Sequence, residues 1–300
     1  MTIKQLLKKQ SVNQIPLRQL EEILANTLKT TREFVVAHPE KKVLPAQTAK
    51  FKRIISKRLA GEPLQYIFKT APFYGNEFYV DKRVLIPRPE TELLVEKAVD
   101  HITCNMEHGT IIDVGTGSGC IIISLAKTLE KQDETIFYAS DISKPALTVA
   151  RKNAERLNVA DKIKFVHSNL LNFLMPKNKK EQFTTNYKKL QTINSLLITA
   201  NLPYLSEKLY SSAPESVTKY EPKTALISGK DGLDHYRKLF SQVDLLKKNN
   251  QNLKITMLLE ISPEQKSLME KEIKQHFPFA KSNAAEDLAG KWRIFEISIP

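Results

Sequence analysis

The run T-I-I-D-V-G-T-G-S-G-C-I-I at residues 110–122 constrains the fold more than any other stretch. Its first five residues read as a buried strand, Gly115-Thr116-Gly117-Ser118-Gly119 as a tight loop, and the apolar residues after it as a helix. A second strand at residues 135–139 leads to Asp141, 22 residues beyond the last loop glycine. Strand, glycine loop, helix and strand in that order make a βαβ unit, and a carboxylate at that distance is placed to bind ribose hydroxyls. The predicted class is therefore α/β, a Rossmann-like, mostly parallel sheet with a nucleoside at its carboxyl edge.

The loop is G-x-G-x-G rather than the G-x-G-x-x-G of dinucleotide binders, and no phosphate-binding lysine follows it. Both points argue against NAD and against a nucleoside triphosphate. Adenosine carried on a group without phosphates fits better, which points to S-adenosylmethionine. Asp113, just before the loop, is expected to orient the loop amides or the cofactor's ammonium. Asn169 follows a third strand at 162–166 and can donate and accept at an adenine edge; as a strand-end residue it reads equally as a turn.

Residues 195–205, S-L-L-I-T-A-N-L-P-Y-L, read as another buried strand stopped by Asn201-Leu202-Pro203-Tyr204. That tetrapeptide combines an amide that accepts and donates, a proline that fixes the backbone, and an aromatic ring. Together they suit a planar NH2 group. Residues 253–261 read as a strand with Glu260 near its end, S-P-E-Q at 262–265 as a capped helix start, and 292–299 as a closing strand in an antiparallel last pair.

The front of the chain is different in kind. Apolar residues at helical spacing (Ile3, Leu6, Leu7; Leu17, Leu20, Leu24, Leu28; Phe51, Ile54, Ile55, Leu59), punctuated by Pro16, Pro39 and Pro45, predict a small helical domain. Residues 1–60 hold thirteen Lys/Arg against four Glu, nine of the net thirteen positive charges. Such a front end suits an acidic protein or RNA phosphates, and equally describes helices with solvated basic faces. Aromatic residues 68–84 read as a β-hairpin, and Arg88, between two prolines in I-P-R-P-E-T-E, is aimed by a stiff loop, with Glu90 in a helical first turn. Residues 175–194 are a polar, basic insertion. Cys104 and Cys120 form neither a CxxC pair nor a zinc pattern, so no metal is expected. No apolar run has membrane-span length and no signal-peptide core opens the chain, so a cytoplasmic location is expected.

With these motifs in hand, the chain resembles class I methyltransferases and, more narrowly, the HemK/PrmC family of peptide chain release factor N5-glutamine methyltransferases. The resemblance rests on G-E-P-L-Q-Y-I at 61–67, I-P-R-P-E-T-E at 86–92, D-V-G-T-G-S-G at 113–119, the Asn201 tetrapeptide, and Y-E-P…A-L…G-x-D-G-L between Tyr220 and Leu233. It implies a helical docking domain at 1–67, a β-hairpin linker at 68–84 and a methyltransferase domain at 85–300 with an antiparallel last strand. It implies S-adenosylmethionine held by Asp113, Gly115, Thr116, Gly117, Ser118, Gly119, Asp141, Ile142, Asn169, Leu170 and Asn201. Catalysis falls to Asn201, Leu202, Pro203 and Tyr204, substrate contact to these and to Arg88 and Glu90, and the partner is a release factor met by a monomer. In such families the Asn carbonyl and the next backbone carbonyl accept from the target NH2 while the Tyr ring packs on its plane.

Two departures stand out. The family usually has N-P-P-Y, whereas N-L-P-Y here matches a form seen in rRNA adenine-N6 dimethyltransferases; Leu202 keeps the backbone carbonyl but adds an N–H that needs a partner. Asn169-Leu170 stands where an acidic residue and an apolar one are frequent. Nucleic-acid amino methylation, at adenine N6 or cytosine N4, stays open as the alternative, as does a non-catalytic cofactor-binding module.

Overall fold

The computed structural model describes residues 1–10, 15–106, 109–129, 135–175 and 194–300. The basic insertion, Met175 and Asn194 apart, lies outside the described residues. The strands are β1 (Thr70–Phe73), β2 (Asn76–Tyr79), β3 (Thr110–Val114), β4 (Ile136–Asp141), β5 (Ile163–His167), β6 (Ser195–Ala200), β7 (Lys254–Glu260), β8 (Lys281–Glu286) and β9 (Trp292–Ile299).

Among the described residues, β3 to β9 form one seven-stranded sheet in the order β5-β4-β3-β6-β7-β9-β8. The first five in that order are parallel, β9 runs antiparallel to β7, and β8 runs antiparallel to β9. The apolar runs are continuous because both faces are covered. Ile112, Val114, Ile198 and Met257 enter one cluster with Tyr236, Leu239 and Phe240; Ile111, Leu197 and Leu258 enter a second with Leu94, Ile122 and Leu125. Side-chain period two sends neighbours along each strand to opposite clusters.

The order reverses at β3, with β4 and β5 on one side and β6 and β7 on the other. Val114 pairs with Ala200, so the glycine loop and Asn201 leave neighbouring strand ends at the switch point, where α/β sheets bind ligands. Helix Lys144–Arg156 starts where Ser143 Oγ accepts from Ala146 N at 3.2 Å, and Ser262 with Gln265 forms the expected capping box.

The chain divides into two compact units, residues 1–69 with 215–220, and residues 70–214 with 221–300. In the first, helices Ile3–Gln10, Leu17–Leu28, Arg32–Ala37, Pro45–Leu59 and Leu64–Phe68 bury Leu6, Leu20, Ile23, Leu24, Phe51 and Ile54. Within this unit the Tyr220 hydroxyl donates to the Ala60 carbonyl at 2.7 Å. Two features differ from the sequence expectation. The β1–β2 hairpin groups with the larger unit, where Asn153 accepts from Tyr79 N at 2.7 Å and donates to its carbonyl at 2.9 Å. Strand β8, K-S-N-A-A-E, was not anticipated: it is an edge strand, largely exposed, without apolar alternation.

Candidate active site

At the switch point a cavity of about 530 Å³, within the range of small-molecule sites, is lined by the ends of β3, β4, β5 and β6. Arg88, Gly115, Thr116, Gly117, Ser118, Asp141, Ile142, Asn169, Leu170, Asn201, Leu202 and Pro203 all lie on its wall.

On one side the backbone makes the wall. Gly115 and Gly117 have φ of 74° and 55°, a region closed to most side chains, and let the main chain approach a ligand. Asp141 Oδ2 accepts from Gly117 N at 2.9 Å and Oδ1 from Ser143 N at 2.8 Å, so one carboxylate joins the loop to the start of the next helix. Each oxygen retains a lone pair for a hydroxyl donor. Burial raises the Asp141 carboxyl, opposed by those backbone amides. Ile142 beside it is 62% exposed, an apolar face on the cavity wall suited to a planar base. The loop 168–172 is pinned by Gln242, which donates to Asn172 Oδ1 at 2.6 Å and accepts from Leu171 N at 2.9 Å. Leu170 sits at φ 53°, strained for a branched side chain and held in place by these bonds.

On the other side, side chains make the wall. Asn201 Nδ2 donates to Thr91 Oγ1 and to Glu260 Oε2, each at 2.9 Å. A carboxylate only accepts, so the NH2 of Asn201 faces inward and Oδ1 is left to the cavity. The N–H that Leu202 brings in place of a proline is met by the Tyr236 hydroxyl at 3.4 Å, which itself donates to the Glu260 carbonyl. Thr91, Tyr236 and Glu260 are 2%, 0% and 1% exposed. Burial raises Glu260 to about 7, with Thr91, Arg293 and Asn201 pulling against it and Glu90 adding to it.

Four expected site residues stand off the wall. Asp113 is fully buried and accepts from Thr116 Oγ1 at 2.7 Å and Thr199 Oγ1 at 2.9 Å; of its two expected roles the geometry supports ordering the loop. Burial lifts its carboxyl to about 6. Gly119 starts the helix at φ 82°, where a Cβ would lie 2.7 Å from Ile123 Cδ1 and 3.2 Å from Ala150 Cβ. Glu90 is exposed on the first turn after Pro89. The Tyr204 ring packs against the apolar cluster of β6 and β7, its carbonyl pinned by Gln265 Nε2 at 2.9 Å. Arg88 does reach the wall, where Glu221, with a side chain 2% exposed, accepts from its Nη2 at 2.6 Å.

Thr91, Glu260, Tyr236, Arg83 and His235 were not singled out as site residues from the sequence. The available signals were a carboxylate closing the apolar run I-T-M-L-L-E and a hydroxyl inside I-P-R-P-E-T-E. Burial lowers the His235 imidazole, whose Nδ1 lies 2.6 Å from the buried Ser228 Oγ.

A switch-point cavity bounded by a glycine loop without a phosphate lysine, a carboxylate at the end of the second strand and an amide acceptor defines a class I methyltransferase, and its residues fit S-adenosylmethionine. Residues 2–68 match the PrmC N-terminal domain and residues 105–218 match a methyltransferase domain. The chain is 32% identical over 277 residues to the release factor glutamine methyltransferase of Bacillus anthracis, covering 91% of this chain and 89% of that one. It is 37% identical over 251 residues to that of Dictyoglomus turgidum, covering 84% and 80%. Among solved structures, the hMettl16 catalytic domain in complex with MAT2A 3′UTR hairpin 6 matches with a TM-score of 0.52 at 17% identity over 83% of this chain and 91% of that one, a likeness of fold. The chain belongs to the release factor glutamine methyltransferase family.

Proposed function

We propose that the protein transfers a methyl group from S-adenosylmethionine to the side-chain amide nitrogen of the glutamine in the Gly-Gly-Gln motif of peptide chain release factors. The observation that carries this reading is the fixed orientation of Asn201. Its NH2 is bonded to Glu260 and Thr91, which leaves its Oδ1 to the cavity beside the glycine loop, where it and the carbonyl of the next lining residue, Leu202, would form two acceptors. A glutamine amide offers two coplanar N–H groups to such a pair.

The amide nitrogen is a weak nucleophile because its lone pair is delocalised into the carbonyl. Two acceptors on its N–H bonds orient that lone pair and stabilise positive charge as the new bond forms, without reorganising in the step, and the methylated nitrogen then gives up one N–H proton to water. S-adenosylmethionine, when bound, supplies an electrophilic methyl group on a sulfonium, whose departure leaves a neutral thioether. Asp141 would take the ribose hydroxyls, the main chain at Gly115 and Gly117 would approach the cofactor's tail, and Ile142 and Asn169 would take the face and edge of the adenine. The Tyr204 ring is off the wall, so the reading rests on Asn201 and Leu202.

The first unit would dock the release factor. Its helix Pro45–Leu59 exposes Lys50, Lys52, Arg53 and Lys57, a face suited to an acidic surface. A release-factor substrate places the reaction in the cytoplasm. The test is labelled methyl transfer to a purified release factor beside a factor with its loop glutamine changed. Label on the first alone is expected. Equal label on both, or label on ribosomal RNA or DNA instead, overturns the reading.

A further inference from the structure

Asn201 can present an acceptor to the cavity only while its amide is held one way round. The groups that hold it are Thr91, from the loop after β2, and Glu260, from the end of β7; Tyr236, from helix Asp234–Asn249, meets the N–H of the next residue, Leu202. Glu260 meets both halves of the acceptor pair. Its side chain takes the Asn201 NH2, and its own carbonyl takes the Tyr236 hydroxyl that in turn accepts the Leu202 N–H. The rim of the cavity therefore depends on one buried residue behind it.

We propose that Glu260 is the positioning residue for the amide-binding pair, fixing the Asn201 side chain through its carboxylate and the Leu202 backbone through Tyr236. This rests on the glutamine reading for its substrate, though not for its geometry. An ionised carboxylate can only accept, so it enforces the inward NH2 and polarises Asn201 toward a more basic Oδ1. A protonated carboxyl can donate to Oδ1 and lets the amide turn over, presenting NH2 to a substrate NH2. The charged and titratable groups acting on this carboxylate are Arg293 and Glu90, with Cys120, Tyr204 and Tyr236 sensing its charge in turn; Asn201 is its hydrogen-bond donor, and the Thr91 hydroxyl beside it favours the charged form. Desolvation outweighs Arg293 and leaves the group titrating at about 7, so the correct orientation is lost as pH falls through neutrality.

The experiment compares wild type, Glu260→Gln and Glu260→Ala from about pH 5.5 to 9, reading kcat, acceptor KM and cofactor Kd. It also follows the Asn201 side-chain amide in ¹⁵N-labelled protein. Glutamine is isosteric and can either accept from or donate to Asn201 at every pH. Glu260→Gln should therefore lower kcat about tenfold at pH 8, leave cofactor Kd within about threefold, and remove the acid limb that wild type shows near pH 7. Alanine should cost kcat about a hundredfold or more. In wild type the Asn201 NH2 resonances should titrate near pH 7; in Glu260→Gln they should not. An acid limb that persists unchanged in Glu260→Gln, a loss that falls in cofactor Kd instead of kcat, or an Asn201 amide that ignores pH in wild type overturns the inference. Wild type that labels no release factor defeats the substrate reading alone. The amide titration, which needs no turnover, then decides the role of Glu260, as it does if the alanine variant fails to fold.

Discussion

The glycine-loop wall of the cavity presents main-chain groups, with the buried Asp113 ordering them from behind, whereas the Asn201 wall presents a side-chain amide held by buried side chains. In the first, the backbone N–H groups of Gly117 and Ser143 converge on one carboxylate at the end of β4, and Gly115 N donates to the Ser140 carbonyl. In the second, the Asn201 amide is fixed by a hydroxyl and a buried carboxylate, and the neighbouring Leu202 N–H by a phenol, from three other segments. The difference separates the two parts of the task. A wall that recognises a constant cofactor works with backbone, which has no rotamers to lose. A wall that must offer acceptors to a weak nucleophile needs one side chain in one orientation, and the protein achieves that by burying a charge at a cost in stability.

If the walls are separable, their substitutions divide cleanly. The largest effect expected is for Asn201→Ala: kcat should fall by about 10² to 10³, the usual loss for one preorganised transition-state contact, with cofactor Kd changed by no more than about threefold. Calorimetric Kd beside single-turnover rates measures both. Equal losses in the two would mean that Asn201 supports the whole cavity.

The acceptor wall should also show its cost in stability. Glu260 is raised from 4.5 to about 7 by burial, so the folded chain holds that proton more tightly than the unfolded chain. Its contribution is present in full below about pH 4.5 and is lost as pH rises through about 7, up to about 3 kcal/mol for a fully buried group. Glu260→Gln does not undergo that loss. Its stability relative to wild type should improve between pH 5 and pH 8, and urea unfolding at the two values measures the difference with the other titrating groups common to both proteins. An unchanged gap would mean that the carboxylate ionises at its ordinary pH.

The cofactor wall should answer in the opposite column. Asp141→Ala removes the acceptor of two backbone N–H groups and the predicted ribose contact, charge-assisted bonds of about 1.5–3 kcal/mol. Cofactor Kd should rise between about ten- and a hundredfold, while kcat at saturating cofactor stays within about threefold. A kcat loss as large as that of Asn201→Ala would make the two walls one device.

How far each wall was legible follows from the same contrast. The cofactor side lies along one continuous stretch, with glycines where φ must be positive and Asp141 at a fixed distance, so order along the chain carried the information. The central strands of the sheet were equally plain, because strands buried on both faces are unbroken apolar runs; polar β8 was not, since its partner β9 and its edge position hold it. On the acceptor side only Asn201 and Leu202 could be read. Thr91, Tyr236 and Glu260 meet them across sequence separations of 110, 34 and 59 residues, and nothing local marks a Thr in a proline loop or a Tyr in an amphipathic helix as the partner of an amide. The need itself was visible, since Leu202 brings an N–H that a proline would not. Tyr204 shows the converse: its motif suggests a face toward the substrate, and in the structure Gln265 and the close approach of Gly232 hold its backbone while its partly buried ring packs against the apolar cluster.

The smallest effect belongs to the place where the walls touch. A Cβ on Gly115 would lie 2.9 Å from Leu202 Cδ2, the far end of a flexible side chain, and Gly115 has φ 74°. Gly115→Ala therefore strains the loop by about 1–2 kcal/mol and displaces the Leu202 side chain by a few tenths of an ångström. The loop strain acts on cofactor binding. The push on Leu202 acts on its carbonyl through a backbone whose N–H is held by one long bond to Tyr236, at 3.4 Å. Both readouts should move together, each by about three- to tenfold, unlike those of Asn201→Ala or Asp141→Ala. Shortening the contact should then restore one column only: in Gly115→Ala with Leu202→Ala the methyl has room, so kcat should recover relative to Gly115→Ala while the Kd defect remains, since φ at residue 115 is still positive. If Kd recovers as well, the loop was displaced by collision with Leu202 rather than by its own backbone, and the two walls are mechanically coupled through that contact.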